Sequence, residues 1–229
     1  MKDLLHFGRV LVIAPHPDDE VLGCGGTMAR LADEGAELIV AIVTTGQPPA
    51  FQAESVSQVE NELRQAHEII GIRDCRFLHF PAAALDTVPA ATLNARFEEL
   101  VSDVRPDTLL LPFVGDIHGD HQLSFLAAMV AARPRQMDAP SLVMCYETLS
   151  ETNWYAPPTT PTFVPNAYVE ISAVLDRKLE AFGAIASQLR PFPDERSLEA
   201  LRALATLRGA TVHVRAAEAF VIVRHVCRA

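Results

Sequence analysis

Two short clusters of histidine and carboxylate residues could do chemistry together. One reads His-Pro-Asp-Asp-Glu over residues 16–20, and the other reads Gly-Asp-Ile-His-Gly-Asp-His over residues 115–121. A catalytic zinc site has three nitrogen, oxygen or sulfur ligands from the protein and one open position. His16, Asp19 and His121 would form such a set. The clusters therefore predict a Zn²⁺ site, with another divalent metal as the alternative ion.

The remaining side chains of the two clusters offer proton transfer and charge stabilisation. A bound metal lowers the pKa of its water from about 16 to about 7. A carboxylate outside the ligand set must then take the proton, and Asp18 is the candidate. His118 could face the developing oxyanion and then protonate the leaving nitrogen. Asp116 or Asp120 could hold His118 in the required tautomer.

Each cluster alone also has an ordinary structural explanation. The carboxylates at 18–20 could cap a helix and favour its dipole, as they do in many proteins. The cluster at 115–121 could be a solvated loop closed by a helix N-cap. Because both clusters follow a buried strand, their combination favours the metal site.

The elements that would position the clusters alternate along the chain. Short apolar, β-branched segments are separated by segments of helical periodicity, which is typical of an α/β fold with a mostly parallel sheet covered on both faces. Strands are predicted at 9–14, 37–45, 75–80, 107–112, 141–147, 167–171 and 219–226, and helices at 20–34, 54–71, 91–104, 122–133, 174–188 and 195–209. Ligands bind beyond the carboxyl ends of such strands. Both clusters lie at that end of their strands.

Composition narrows the class of protein. The chain has 229 residues and a formal net charge of -10, which disfavours nucleic acid as a partner. Its four cysteines include no C-x-x-C pair, and no apolar run approaches the ~20 residues of a membrane span. We expect one domain over residues 1–229 in a cytoplasmic protein without a membrane span.

Several weaker signals concern the substrate. Residues 147–165 are polar and proline-rich and predict a substrate-cleft loop, in which Trp154 could stack on a sugar ring or pack the loop onto the protein. Close helix–sheet packing explains Gly23, Gly25 and Gly26 better than a phosphate loop does. The arginines near the C-terminus are expected to be mostly solvated, although one could meet a phosphate on the substrate: Arg190, Arg196 and Arg208.

The segments "APHPDDEVLGCGGT" and "PFVGDIHGDHQ" resemble the two signature motifs of the PIG-L/LmbE family, zinc-dependent N-deacetylases that act mainly on N-acetylglucosaminyl compounds. "YETLSETNW" and "RGATVHVRAAEAF" extend the resemblance over nearly the whole chain. The resemblance implies a Rossmann-like three-layer fold and a small N-acetylated substrate, and related enzymes often form homo-oligomers. By resemblance the ligands are His16, Asp19 and His121, the base is Asp18, and His118 stabilises the oxyanion with Asp120 as its partner carboxylate.

One position departs from the family pattern. Members often carry a substrate-binding arginine three residues before the glutamate of the second helix, where this chain has Val59 before Glu62. Arg64 is the candidate replacement, and His213 lies in a stretch that the family places near the cleft.

The first hypothesis is removal of the N-acetyl group from an amino sugar or glycoconjugate, releasing acetate and a free amine. Val59 and the 147–165 loop motivate an alternative, an amidase for larger thiol- or peptide-like conjugates. A non-catalytic metal- or carbohydrate-binding domain is the third.

Overall fold

Strands and helices alternate through most of the chain. The computed structural model describes residues 7–135, 138–156 and 159–227. The strands are β1 Val10–Ala14, β2 Leu38–Thr45, β3 Asp74–Pro81, β4 Thr108–Pro112, β5 Leu142–Tyr146, β6 Ala167–Glu170 and β7 Ala217–His225. The helices are α1 Asp19–Asp33, α2 Ala53–Ile70, α3 Ala90–Val104, α4 Gly119–Ala131, α5 Leu175–Ala184 and α6 Leu198–Thr211, with a 3₁₀ turn at Leu85–Thr87.

The strands form one sheet in the order β3-β2-β1-β4-β5-β7-β6. β1 to β5 pair in parallel, whereas β7 runs antiparallel to both β5 and β6. All residues of β1, β4 and β5 are buried, as expected of continuous apolar strands that are covered on both faces. This confirms the predicted α/β class and the mostly parallel sheet.

Side chains of β1 alternate between two hydrophobic clusters, because successive strand residues point to opposite faces. Val10, Val12 and Ala14 join the cluster that contains apolar residues of α1, α2, α5 and α6. Leu11 and Ile13 join the cluster beneath α3 and α4. The sheet is therefore the middle layer of three.

The sheet order reverses beside β1, and this reversal positions the site. The chain runs from β1 outward through β2 to β3 and then crosses over to β4, on the other side of β1. β1 and β4 are paired neighbours, with Val10 opposite Thr108. Connections that leave such neighbours in opposite directions open a crevice at the carboxyl ends of the strands. The two histidine–carboxylate clusters follow these two strands, as predicted.

Helix α1 packs unusually close to the sheet. A Cβ on Gly23 would lie 2.1 Å from the ring of Tyr146, so only glycine fits there. The helix is interrupted at Cys24, and the backbone N–H groups of Gly26 and Thr27 donate to the carboxylate of Glu218, at 2.8 and 2.6 Å. Lys178 pairs with the same buried carboxylate. The predicted packing role of the glycines is confirmed at Gly23.

Several helix boundaries differ from those predicted; α5, for example, ends at Ala184 rather than at 188. At the starts of α4 and α6 the difference arises because a side chain caps the helix. α4 begins at Gly119 rather than 122, since His118 caps it. α6 begins at Leu198 rather than 195, since Ser197 Oγ accepts from the backbone N–H of Ala200 at 3.1 Å. None of the helices in the described ranges is both long and apolar enough to cross a membrane.

Candidate metal centre and active site

The start of α1 is organised around side chains rather than a cap. Within the described part of the chain, Asp18 makes no side-chain capping hydrogen bond to the helix. Instead, the backbone N–H of His16 donates to Asp19 Oδ2 at 2.8 Å, which turns the Asp19 carboxylate back toward the His16 ring. The carboxylates of this segment therefore do more than begin a helix.

His16, Asp19 and His121 come together at the crevice between β1 and β4. One donor atom from each lies within 4.8 Å of the other two. His16 Nδ1 is 3.2 Å and His121 Nε2 is 3.1 Å from Asp19 Oδ2, so both rings face one carboxylate. Two imidazoles and a carboxylate are a three-ligand set for a catalytic metal.

Each histidine of this cluster is held from behind by another carboxylate. His121 Nδ1 donates to Asp116 Oδ2 at 2.8 Å, and the Nε2 of His16 lies 3.1 Å from Asp120 Oδ2. These hydrogen bonds fix the ring orientation and leave the opposite nitrogen of each ring toward Asp19. Carboxylates that bond to the ring nitrogen facing away from a metal commonly orient metal-ligating histidines.

Two buried polar atoms without hydrogen bonds in the described part of the chain indicate that these residues fit a metal ion. Among the described residues, buried Asp19 Oδ1 has no hydrogen-bond partner, and His121 Nε2 makes no hydrogen bond although it lies 3.1 Å from Asp19 Oδ2. With the proton of the neutral His121 ring on Nδ1, Nε2 and the carboxylate oxygen are both acceptors. Leaving such atoms unsatisfied is costly in a protein interior, and a cation between them would satisfy both. A second trio, His16, His118 and Asp120, also meets the distance criterion. Its Asp120 carboxylate already accepts from the backbone N–H groups of Ala83 and Leu85, so the first trio fits a metal better.

The ligand cluster is electrostatically prepared for a cation. Burial acts to raise the pKa of Asp19, but His121 and His16 hold that pKa well below its ordinary value, so the carboxylate stays ionised. Burial likewise acts to lower the pKa of His16, but its hydrogen bonds to Asp120 and Asp19 raise it to about 9. The surrounding carboxylates thus favour positive charge at this position.

His118 lies beside the cluster with a defined tautomer. Its Nδ1 accepts the backbone N–H of Asp120 at 3.1 Å, capping α4. Because that nitrogen is an acceptor, the proton of the neutral ring is on Nε2. Burial and the neighbouring His16 lower the pKa of His118, which favours the neutral ring. The ring can therefore donate one hydrogen bond from Nε2.

The position of Asp120 differs from the predicted pairing with His118. Its Oδ2 is 4.0 Å from His118 Nδ1, too far for a hydrogen bond, and the carboxylate turns instead to His16. The other carboxylate that the sequence offered, Asp116, holds His121. Backbone capping, which spacing does not reveal, fixes the His118 tautomer instead.

Asp18 is buried beside the ligands and paired with an arginine. Its Oδ2 accepts from Arg196 Nη1 at 2.6 Å, and Arg196 is itself anchored by Ser150 Oγ at 3.1 Å and Gln188 Oε1 at 3.2 Å. Burial raises the pKa of Asp18 to about 6, against the opposing effect of Arg196. A carboxyl with a pKa near working pH is suited to take and return a proton.

Asp18 and His118 line one cavity of about 490 Å³, within the range of ~300–1,000 Å³ that is usual for small-molecule sites.

The 147–165 loop reaches this site through three consecutive residues. Ser150 anchors Arg196, Glu151 lines the cavity, and Thr152 Oγ1 donates to Asp116 at 2.6 Å. Burial raises the pKa of Glu151 to about 7.

Three residues predicted to bind substrate lie elsewhere. Arg64 is exposed on α2 and its guanidinium lies 5.9 Å from the centre of the Phe77 ring, outside the set of residues that lines the cavity. Trp154 is exposed and is also outside that set. His213 lines a different concavity together with residues of 170–173.

Sequence reasoning missed two contributors to the site. Arg196 comes from an irregular segment, and its charge alone does not separate it from a solvated arginine. Glu151 lies in the 147–165 loop that was predicted to line the cleft, but no role was predicted for this residue itself. Arg208, which was also expected to be mostly solvated, forms a two-bond ion pair with Glu147 at 2.8 and 2.6 Å.

Comparison with known proteins finds relatives over most of the chain. The sequence model of the PIG-L family, described as GlcNAc-PI de-N-acetylase, matches residues 11–132. A probable N-acetyl-alpha-D-glucosaminyl L-malate deacetylase 2 of Bacillus cereus is 32% identical over 79% of this chain and 83% of the relative. The diacetylchitobiose deacetylase of Thermococcus kodakarensis is 30% identical over 82% of this chain and 71% of the relative.

Solved structures share the whole architecture. The crystal structure of the conserved protein TT1542 from Thermus thermophilus has a TM-score of 0.76 and 28% identity, with 96% of each chain covered. The matched family segment contains both histidine–carboxylate clusters. On these grounds the chain belongs to the PIG-L family.

Proposed function

We propose that this protein is a metal-dependent hydrolase that removes the N-acetyl group from an amino sugar or amino-sugar conjugate, releasing acetate and a free amine. The observation that carries the proposal is one cavity lined by a buried carboxyl, Asp18, and a neutral imidazole, His118, beside the His16–Asp19–His121 cluster. The deacetylase names of the sequence relatives support the same reaction.

Zinc is the proposed ion, because two imidazoles and one carboxylate form a common catalytic zinc set. The ion would be held by His16, Asp19 and His121, where it would make a water molecule more acidic and polarise the amide carbonyl. A cytoplasmic location and assembly into a homo-oligomer stay predictions.

Asp18 and His118 divide the remaining chemistry between them. Asp18 takes the proton of the attacking water and returns it to the amide nitrogen, so that the carbon–nitrogen bond breaks with a neutral amine as leaving group. His118 donates from Nε2 to the oxygen on which negative charge develops. Arg196 keeps the Asp18 carboxylate in place during both transfers.

Two substitutions separate metal binding from proton transfer. We expect His121→Ala to lose both bound zinc and acetate release, because it removes a ligand. Asp18→Asn should keep zinc and lose about 10²-fold or more in kcat, because the isosteric amide cannot take the proton. Zinc content is measured by elemental analysis, and acetate and free amine are measured on N-acetylated amino sugars. An Asp18→Asn enzyme with wild-type turnover would remove Asp18 from the mechanism.

A further inference from the structure

The cavity that contains Asp18 has a distinctly apolar part. Phe51, Val56, Val59 and Phe77 all line it, and we refer to these four residues as the apolar lining. Phe51 and Val56 converge on Gly46, where an added Cβ would meet their side chains at 2.7 and 3.0 Å. Val59 lies one helical turn beyond Val56, so both valines occupy the same face of α2. Phe51, Val56 and Val59 are therefore neighbours in the apolar lining, and Phe77 of β3 lines the same cavity.

The same cavity offers little to an anion. Among the described residues that line it, Arg196 is the only lysine or arginine. Its guanidinium is already engaged by Asp18, Gln188 and Ser150. The carboxylates Glu60 and Glu151 also line the cavity. Arg64 is exposed and its guanidinium lies 5.9 Å from the centre of the Phe77 ring, outside the residues that line the cavity. A carboxylate or phosphate that packs on the apolar lining would thus lose its hydration without gaining a free lysine or arginine partner from the lining itself, which disfavours its binding.

The position of the amide fixes where the rest of the substrate lies. If the amide is cleaved beside Asp18 and His118, as in the proposed function on which this step rests, the remainder of the molecule extends along the same cavity. We propose that the substrate is an amino sugar with an uncharged alkyl or aryl substituent that packs on the apolar lining, and that conjugates with an anionic substituent are poor ligands.

Binding of the deacetylated products tests this without depending on turnover. The probes are three glucosaminides that differ in the substituent: methyl, hexyl and L-malyl. Their dissociation constants are measured by calorimetry on the wild-type, zinc-loaded protein. We expect the hexyl compound to bind at least about tenfold more tightly than the methyl compound, because burial of its methylenes is favourable. The malyl compound should bind no more tightly than the methyl compound. Equal binding of hexyl and methyl compounds, or tightest binding of the malyl compound, would overturn the proposal.

A charge placed in the apolar lining should reverse the preference. In Val59→Arg we expect the malyl compound to gain about tenfold in affinity through a charge-assisted hydrogen bond, and the hexyl compound to lose its advantage. Gln65→Arg is the matched control, since it adds the same charge to an exposed position of α2 outside the cavity lining. A malyl gain in both variants would show a general charge effect and overturn the role of Val59. Acetate release from the N-acetylated compounds is assayed separately, so failure of the deacetylase reaction is distinguishable from failure of this inference.

Discussion

His121 is fully buried and held by Asp116, whose other oxygen accepts a hydrogen bond from Thr152 Oγ1 at 2.6 Å. This chain of three side chains connects the ligand to the 147–165 loop. Because the imidazole ring is already held in one orientation, it loses less conformational freedom when a metal binds. Asp116 and Thr152, which lie behind His121, would therefore increase the affinity of the site for the metal.

We therefore expect Asp116→Ala to weaken zinc binding by about 10- to 100-fold, the usual effect of losing such a partner. Thr152→Val leaves the carboxylate on His121 and should have a smaller effect. Competition with a chelating dye measures both affinities. Unchanged affinity in Asp116→Ala would contradict the orienting role.

In the proposed reaction, Arg196 would act through Asp18, whose carboxylate accepts its hydrogen bond at 2.6 Å. In Arg196→Gln we expect kcat to fall about 10- to 100-fold with zinc content unchanged, because the buried carboxylate loses the partner that positions it. Arg196→Lys should restore part of the loss. Arg190→Gln is the control, since the Arg190 guanidinium is exposed and bonds only to nearby backbone carbonyls among the described residues. Wild-type kcat in Arg196→Gln would rule out this contribution.

Among the secondary-structure elements, the close approach of α1 to β5 determines where the first cluster sits. Tyr146 is fully buried beneath Gly23, and its hydroxyl donates to the carbonyl of Ile13 at 2.7 Å. The ring cannot move aside without breaking that bond. The buried Lys178–Glu218 pair holds the interrupted part of the same helix. The beginning of α1, which carries Asp19, is thus fixed from two sides.

A methyl group at Gly23 should therefore be costly. We expect Gly23→Ala to lower the free energy of unfolding of the metal-free protein by about 1–3 kcal/mol, the range for overpacked cores. Gly183→Ala is the matched control on α5, where an added Cβ meets no heavy atom of the described residues within 4 Å. It should change stability by no more than about 1 kcal/mol, in the stabilising direction. Urea denaturation measures both, and equal stability of the two variants would contradict the close packing.

For the molecule as a whole, the reversal of strand order beside β1 explains why two clusters far apart in sequence form one site. Patterning predicted this part of the fold well, because β1 and β4 are continuous apolar strands and each is followed directly by polar residues. The ligand cluster followed from the same reasoning. The residue types and their position after parallel strands were enough to assemble His16, Asp19 and His121.

The surroundings of the ligands could not be predicted in the same way. Asp18 meets Arg196 across 178 positions, and Glu151 reaches the cavity from an irregular loop. Such contacts depend on loop paths that no periodicity encodes. The same limit applies to Arg64, which lies near Val59 in sequence but is outside the residues that line the cavity.

The most direct test of the account is a titration of zinc into metal-stripped wild-type protein while acetate release from an N-acetylated amino sugar is followed. We expect activity to rise with added zinc and to saturate near one equivalent per chain, with acetate and free amine formed in equal amounts. Full activity in the stripped protein, or one tightly bound zinc with no release of acetate from N-acetylated sugars and their hexyl glycosides, would contradict the proposed reaction.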